Sequence, residues 1–295
     1  METNPEYNPE ITEKEIALLK SPPLFDIEVS SRCNIHCMFC PREKMELMGT
    51  GLMALETMVA IADWLPTGAS VLLSGLGEPL LNPHLADFVK SLRDRNIGVS
   101  LITNGLLLHP KRFEELKEAG ICEIQISAQT LDRAHYESEM NGADFDELVK
   151  NLNYLCEADM GNVQIRFNSI MELGASEKET ILDYCEEHEF VPFLRTKHSR
   201  GGSVYSVKAN HVGCGIFPST NFITFKGEVM RCMNDRFGKP IGNIFEDSFQ
   251  DILDRKSAII LNQDRAEACG LCSDSYRWEI LDSMDVHRIK RSTRR

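Results

Sequence analysis

The chain has 295 residues, a length that predicts one large or two modest domains with a substantial buried core. Apolar residues make up 42% and charged residues 26% of the sequence, which excludes a fibrous or largely disordered chain. The formal net charge of −13 would repel phosphate groups, so we expect neither a nucleic acid nor an anionic membrane surface as a partner.

The amino-terminal sequence carries no signal for export or membrane insertion. No apolar run approaches the ~20 residues of a membrane span, and the first thirty residues lack a basic start and an apolar signal core. We therefore expect a cytoplasmic protein, in which clustered thiols indicate metal or redox chemistry rather than disulfides. Three of the ten cysteines stand alone in apolar patterns and are interpreted as small buried side chains: Cys122, Cys156 and Cys185.

Short strands alternate with amphipathic helices over the first two-thirds of the chain. The strand segments are rich in Val, Ile and Leu rather than cleanly alternating, which is typical of parallel strands covered by helices. Six consecutive strand–helix units predict an α/β fold, a partial (β/α)6 barrel with its chemistry at the carboxyl ends of the strands. The predicted strands are Leu24–Ser30, Ser70–Leu76, Gly98–Asn104, Glu123–Gln129, Val163–Met171 and Val191–Lys197.

Three helix ends are marked by their local sequence. Asn82-Pro83 predicts an N-cap followed by proline in the first turn, and the Ser176–Glu179 segment fits a capping box. Gly120 is predicted to end the helix that begins near Pro110.

A smaller carboxy-terminal appendage begins after about Arg200. Gly201-Gly202 marks a break in the pattern, and Asn221–Met233 predicts a hairpin with its turn at Lys226-Gly227. One helix is predicted over Glu246–Asn262. We therefore divide the chain into an amino-terminal extension (1–21), the barrel (22–200), the appendage (201–282) and a basic tail (283–295).

The first cysteine group, Cys33, Cys37 and Cys40, lies on one tight loop directly after the first strand. Three thiolates can hold three corners of a 4Fe–4S cluster and leave the fourth iron for another ligand. A structural zinc site is the alternative, but zinc in that role usually takes four protein ligands, and none lies nearby unless His36 serves.

With Phe39 at its aromatic position, this loop resembles the CxxxCxΦC cluster motif of the radical S-adenosylmethionine (radical SAM) superfamily. The resemblance implies that the amino and carboxylate groups of SAM chelate the open iron. One electron from the reduced cluster would then cleave SAM to methionine and a 5′-deoxyadenosyl radical, which abstracts hydrogen from a substrate. It also implies a flavodoxin- or ferredoxin-type reductant.

The segment after the second strand, Ser74-Gly-Leu-Gly-Glu-Pro79, resembles the region of this superfamily that binds the SAM amino group. The resemblance assigns that role to Gly75, Gly77 and Glu78, while an ordinary turn is the alternative. Relatives often carry an arginine shortly after the fourth strand, where this chain has Glu-Met-Asn-Gly at 139–142. Four further side chains are expected to line the SAM or substrate cavity: Asn104, Ser127, Arg166 and Asn168. For Arg166, an ion pair in the barrel wall is the alternative.

The second cysteine group contains four thiols, which suit either tetrahedral zinc or a fully ligated 4Fe–4S cluster. Gly227-x4-Cys232, a helix and a final Cys-x2-Cys resemble the twitch domain, a shortened SPASM extension that carries one auxiliary cluster. Both resemblances together cover roughly residues 22–280. The four expected ligands are Cys214, Cys232, Cys269 and Cys272.

Four ligands leave no iron of the auxiliary cluster open to substrate, so we expect it to carry an electron. That argues against the twitch enzymes of molybdenum-cofactor synthesis, whose auxiliary cluster keeps an open iron. It favours a two-electron oxidation, and small twitch enzymes of this shape include aminocyclitol dehydrogenases. We therefore expect a radical SAM oxidoreductase that converts a secondary alcohol of a sugar or aminocyclitol into a ketone.

The catalytic base is expected in the polar segment at the end of the sixth strand. Arg195 and Lys197 are the first choices, followed by His198 and Tyr205, and a solvated linker is the alternative interpretation. A SPASM-type peptide-modifying enzyme is the main functional alternative. A non-enzymatic iron–sulfur or zinc module would leave the Gly-Glu-Pro motif unexplained.

Overall fold

The computed structural model describes residues 8–209 and 211–284. Most of the predicted basic tail, residues 285–295, lies outside the described residues, as do residues 1–7 of the predicted extension. Within the described part, no helix combines the length and the apolar character needed to cross a membrane.

Six parallel strands form the centre of the molecule and confirm the predicted α/β barrel strands. In the order β1, β3, β4, β5, β7, β8, each is hydrogen-bonded to the next. Two-residue strands β2 and β6 pair separately. The eleven strands of the described residues are β1 (Leu24–Glu28), β2 (His36–Cys37), β3 (Ser70–Ser74), β4 (Gly98–Thr103), β5 (Glu123–Ile126), β6 (Met140–Asn141), β7 (Gln164–Ser169), β8 (Val191–Leu194), β9 (Thr220–Ile223), β10 (Glu228–Met230) and β11 (Gly242–Asn243).

Helices cover the apolar face of this sheet. They bury a core that alternates along the strands, for example Phe25 and Ile27 on β1 and Ile124 and Ile126 on β5. The helices of the described residues are α1 (Pro9–Leu18), α2 (Arg42–Met48), α3 (Leu55–Trp64), α4 (Leu85–Arg93), α5 (Pro110–Glu118), α6 (Arg133–Glu139), α7 (Phe145–Glu157), α8 (Ala175–Glu187), α9 (Ile216–Ser219), α10 (Phe249–Leu261), α11 (Glu267–Gly270) and α12 (Tyr276–Asp282).

The predicted hairpin of the appendage is β9–β10, with Gly227 at a φ of +84° in its turn. β9 also pairs in parallel with β1, so the full order is β11-β10-β9-β1-β3-β4-β5-β7-β8. The appendage therefore continues the barrel sheet instead of forming a separate layer, which spacing alone does not predict.

The amino-terminal helix α1 packs on the appendage helices α9, α10 and α12. Its buried Glu15 carboxylate accepts a hydrogen bond from Cys214 N at 2.8 Å and forms an ion pair with Arg265 at 2.7 Å. The predicted extension is thus part of the structure around the second cysteine group.

Two predicted helix starts lie at other residues, whereas Gly120 ends α5 as expected with a φ of +90°. α4 begins at Leu85, and the amide of Asn82 instead donates to the carbonyl oxygens of Val29 and Met53, at 2.9 and 3.0 Å. α8 begins after Gly174, whose N–H donates to Glu177. At both positions the side chain bonds to a backbone group other than the one that the local sequence pattern indicates: Asn82 to two carbonyl groups, and Glu177 to the N–H of Gly174.

A buried ion pair joins the barrel to the appendage. Glu28, at the end of β1, is fully buried, and its Oε2 accepts from Arg236 Nε and Nη2 at 3.1 and 3.0 Å. Its Oε1 accepts from Leu76 N at 3.4 Å. Burial raises the pKa of Glu28, and Arg236 acts in the opposite direction. One carboxylate therefore holds three chain segments together.

Replacing Arg236 by methionine leaves the Glu28 carboxyl group buried without its cation. We expect a loss of about 3–5 kcal/mol in the free energy of unfolding, measured by denaturant titration. The control Arg95→Met removes an exposed pair with Asp63 and should cost at most about 1 kcal/mol. Equal losses in the two variants would contradict a structural role for the Glu28–Arg236 pair.

Candidate active site

The first cysteine loop is fixed to the barrel by apolar side chains and by backbone pairing. Ile35 and Phe39 are buried in the main core, while Cys33, Cys37 and Cys40 are half-buried. Strand β2 pairs with β6, and Met38 N donates to the carbonyl of Glu139 at 2.8 Å. The segment 139–142, where relatives often carry an arginine, thus serves here as a support for the cysteine loop.

The three thiols of this loop lie close enough to interact electrostatically. Burial raises the pKa of Cys37, and the neighbouring Cys40 and Cys33 raise it further, while Arg200 acts in the opposite direction. Three adjacent thiolates would repel one another, whereas a positively charged inorganic core would offset their charge. The donor set therefore fits three corners of an iron–sulfur cluster.

The glycine-rich loop after β3 lies directly against the cysteine loop. Gly75 has a φ of +113°, and a Cβ there would come within 2.7 Å of Glu28 Cγ. A Cβ on Gly77 would overlap the carbonyl oxygens of Ser30 and Arg32. Cys40 Sγ is 4.0 Å from the carbonyl oxygen of Leu76. Only glycine at both positions permits this approach.

Glu78 is 1% exposed, and its carboxylate ties the ends of two strands together. Oε1 accepts from Leu80 N at 3.0 Å and Thr103 Oγ1 at 2.7 Å, and Oε2 accepts from Asn104 N at 2.8 Å. Burial raises the pKa of Glu78. One acceptor position on Oε2 remains for a ligand, and the predicted contact with the SAM amino group stays a prediction.

The next two predicted residues continue this rim of the barrel. Asn104 Nδ2 donates to Asn34 Oδ1 at 2.8 Å and lies 3.9 Å from Cys33 Sγ. Ser127 follows β5, and its backbone N–H donates to the carbonyl of Thr103 at 2.8 Å. Asn104 therefore contacts the cysteine loop, while Ser127 lies on the far side of β4.

Polar side chains line the inner face of the sheet. Arg166 forms an ion pair with Glu123 at 2.8 Å, which is the barrel-wall alternative for this residue. Asn168 Nδ2 donates to Gln125 Oε1 at 3.0 Å, but its buried Oδ1 has no hydrogen-bond partner among the described residues. An unsatisfied buried acceptor fits a ligand that donates a hydrogen bond.

Both first-choice catalytic residues are ion-paired. Arg195 pairs with Asp274 and Lys197 pairs with Glu139. Burial alone would raise the pKa of Asp274, but Arg277, His198 and Arg195 lower it to about 2. Neither cation has a free lone pair with which to accept a proton.

Two other side chains of the same segment, His198 and Arg200, are placed differently, and His198 Nε2 lies 4.0 Å from Asp274 Oδ2. His198 is buried, its Nδ1 has no hydrogen-bond partner among the described residues, and burial lowers its pKa to about 3. Arg200 has a φ of +50°, which is uncommon for arginine. Burial lowers the pKa of Arg200, while Cys40 and Asp274 raise it.

The second cysteine group surrounds a cavity of about 600 Å³ that all four thiols line. Among the described residues, no three Cys, His, Asp or Glu side chains gather closely enough to hold a single metal ion. Four thiols that line one cavity can all ligate a single 4Fe–4S cluster. Burial raises the pKa of Cys269 to about 12, with Cys232 and Cys214 acting in the same direction.

Several charged residues around these sites were not predicted from the sequence: Glu15, Asp26, Glu28, Arg236, Lys256, Asp274 and Arg277. One signal was available, because Asp26 and Glu28 alternate with apolar residues on a strand expected to be covered by helices. That alternation predicts a polar inner face. Arg236, Asp274 and Arg277 lie in loops or short helices whose spatial neighbours local patterns do not reveal.

Two protein-family models match parts of this chain. Residues 27–183 match the sequence model of the radical SAM superfamily, and residues 214–274 match that of SPASM, an iron–sulfur cluster-binding domain. The two matches contain the first and the second cysteine groups, respectively.

Curated relatives share part of the chain. A probable GTP 3′,8-cyclase of Methanococcus maripaludis (strain C6) is 28% identical over 165 residues, which is 55% of each chain. A GTP 3′,8-cyclase of Aliarcobacter butzleri is 30% identical over 188 residues, covering 60% of this chain and 57% of the relative. The chain thus spans about half the length of these curated relatives.

Solved structures share the fold over a larger part of the chain. BtrN in complex with AdoMet and 2-DOIA has a TM-score of 0.63 at 21% identity, covering 86% of this chain and 94% of BtrN. Streptococcus suis SuiB bound to precursor peptide SuiA also has a TM-score of 0.63 at 17% identity, covering 79% of this chain and 64% of SuiB. These identities establish the fold alone, and the partial barrel with an appendage is confirmed.

Replacing Cys33, Cys37 and Cys40 together by alanine should remove one of two iron–sulfur centres. Two 4Fe–4S clusters correspond to about eight irons per chain, so the variant should keep about four. Iron analysis and visible absorbance of anaerobically reconstituted protein measure this. Cys122→Ala should keep both clusters, and zinc without iron in the triple variant would contradict the assignment of the second group.

Proposed function

We propose that this chain, which belongs to the radical SAM superfamily, oxidises a secondary alcohol of a small polar molecule, of the sugar or aminocyclitol type, to a ketone. The superfamily match makes the chain an enzyme with a 4Fe–4S cluster and SAM, and the SPASM match implies auxiliary iron–sulfur binding. The substrate and the net reaction are the proposal.

We assign the expected cofactors to two separate groups of residues. Cys33, Cys37 and Cys40 would hold the first cluster, with Gly75, Gly77, Glu78, Asn104 and Asn168 around SAM, and Cys214, Cys232, Cys269 and Cys272 would hold the second. When bound, these groups supply a hydrogen-abstracting radical and an electron acceptor. The chain's own task is to bind the alcohol between them and to take its proton.

One observation carries the proposal: charged side chains gather around Asp274, next to the second cysteine group, where Arg195 and Arg277 pair with its carboxylate. Arg200 interacts with Cys40 of the first group and with Asp274, two residues beyond Cys272 of the second. Asp26, which accepts a hydrogen bond from Ser74, lies close enough to Arg200 for its pKa to be influenced by it. Such a group of charges suits a small substrate rich in hydroxyl or amino groups.

His198 replaces Arg195 and Lys197 as the proposed proton acceptor. A general base needs an unprotonated lone pair, which the neutral imidazole of His198 supplies. Burial opposes proton uptake by this ring, and Asp274, whose Oδ2 lies 4.0 Å from Nε2, would offset the charge of the imidazolium. Arg195 and Lys197 instead position the segment through Asp274 and Glu139. Arg200 would stabilise negative charge on the oxygen as the proton leaves.

Chain coverage is higher for BtrN than for two peptide-bound neighbours, although 84% of anSMEcpe is also covered. The shared fold accounts for 94% of BtrN, a structure containing AdoMet and 2-DOIA, but for 64% of SuiB, a structure containing a precursor peptide. Peptide modification is the second candidate, favoured by SuiB and by anSMEcpe with its bound Cp18Cys peptide, at a TM-score of 0.61. GTP belongs in the same test because the curated relatives are GTP 3′,8-cyclases.

Anaerobic, reduced protein with SAM should convert a responsive sugar or aminocyclitol into a product lighter by two hydrogens. One ketone should form per SAM consumed, because the second electron leaves the substrate. Deuterium on the carbinol carbon should appear in 5′-deoxyadenosine, as measured by mass spectrometry. Deuterium returning to product would indicate epimerisation, and turnover of peptides or GTP with every alcohol inert would contradict the proposal.

His198→Gln should lower ketone formation by about 10²–10⁴-fold while 5′-deoxyadenosine still forms. The loss of a proton acceptor uncouples alcohol oxidation from SAM cleavage, so the ratio of the two products is the measurement. His188→Gln, at the end of α8, is the matched control and should leave the ratio unchanged. A normal ratio in His198→Gln, with a low ratio in Lys197→Met, would return the role to Lys197.

A further inference from the structure

A lysine occupies the apolar stripe of α10. Ile252, Lys256 and Ile260 follow one another at four-residue spacing, and all three are fully buried. Helical residues four apart share one face, so the ammonium group enters the interior beside two isoleucines. A buried cation is costly unless negative charge or hydrogen bonds compensate for its lost hydration.

The hydrogen bonds of Lys256 come from backbone carbonyl groups. Nζ donates to Phe217 O at 2.9 Å and to Thr220 O at 2.7 Å, and it lies 5.4 Å from the Phe217 ring centroid. Within the described ranges, no carboxylate lies within ion-pair distance of Nζ. Two arginines that line the cysteine cavity differ in this respect, since Arg265 pairs with Glu15 and Arg277 pairs with Asp274.

The negative charge that faces Lys256 comes from the second cysteine group. Phe217, which accepts from Lys256, donates its own N–H to Cys214 Sγ at 3.4 Å. Burial lowers the pKa of Lys256 to about 7, and interactions with Cys232 and Cys214 act in the opposite direction. The backbone of a single residue, Phe217, therefore connects the ammonium group to a predicted cluster ligand.

We propose that Lys256 is a fixed counter-charge for the auxiliary cluster and raises its reduction potential. The inference rests on the part of the proposed function that assigns Cys214, Cys232, Cys269 and Cys272 as ligands, and it does not depend on which substrate is used. A cluster with four thiolates is negatively charged and gains one more unit on reduction, so a nearby buried cation stabilises the reduced form more.

This charge has a place in the proposed reaction. A secondary alcohol that becomes a ketone loses one hydrogen atom to the deoxyadenosyl radical, one proton to a base and one electron to the auxiliary cluster. The buried cation favours the last transfer because the accepted electron remains near Lys256.

The test measures the midpoint potential of the auxiliary cluster in the full chain. Cys33, Cys37 and Cys40 are replaced by alanine in every sample so that one cluster contributes to the spectrum. Lys256→Met removes the charge with similar length, and Lys256→Gln removes it while keeping a hydrogen-bond donor. Each should lower the equilibrium constant for reduction at least tenfold, a shift of about 59 mV to more negative potential.

Arg255→Met is the matched control, because Arg255 is the adjacent residue on α10 and its exposed side chain pairs with Asp247. The midpoint potential of the Arg255→Met sample should equal that of the sample in which Lys256 and Arg255 are both retained. Equal potentials in the Lys256 variants and this control, with full iron content, would overturn the proposal and leave the ligand assignment intact. Loss of iron from both Lys256 variants alone would also overturn it, in favour of a purely structural role. Zinc in place of iron would instead overturn the ligand assignment, and the inference with it.

Discussion

The buried ion pair between Glu28 and Arg236 fixes the relation between the two halves of the molecule. Glu28 ends the first barrel strand, contacts the glycine-rich loop through Leu76 N and holds Arg236 of the appendage. A buried charge pair adds little net stability, but either partner alone is strongly unfavourable. This asymmetry selects the arrangement in which β1, the glycine-rich loop and the loop after Cys232 come together.

Charge inside the protein is distributed differently from the overall composition. The chain has a formal net charge of −13, yet cations are directed toward both cysteine groups. Cys40 of the first group raises the pKa of Arg200. Arg265 and Arg277 line the cavity of the second group, and Lys256 is connected to Cys214 through the backbone of Phe217. Thiolate-ligated clusters are anionic, so interior cations offset the charge that cluster binding brings into a low-dielectric region.

This molecule shares its fold with proteins whose structures contain different ligands. The same partial barrel and appendage occur in BtrN, SuiB and anSMEcpe, whose structures contain different kinds of ligand. A shared fold therefore does not select a substrate. In the function proposed above, the choice of a small hydroxylated substrate depends on Arg200, His198 and the polar inner face of the sheet.

The sequence by itself determined the elements and the ligand candidates. Six strands, the hairpin turning at Gly227 and both cysteine groups follow from local signals, because strand propensity, glycine conformation and thiol chemistry act over a few residues. The tertiary structure decided which strands pair and which side chains contact one another. It paired β9 with β1, placed Arg195 and Lys197 in ion pairs and, among the described residues, left His198 Nδ1 without a hydrogen-bond partner. These outcomes depend on groups tens of residues apart, whose electrostatic and steric fit exists only once the chain has folded.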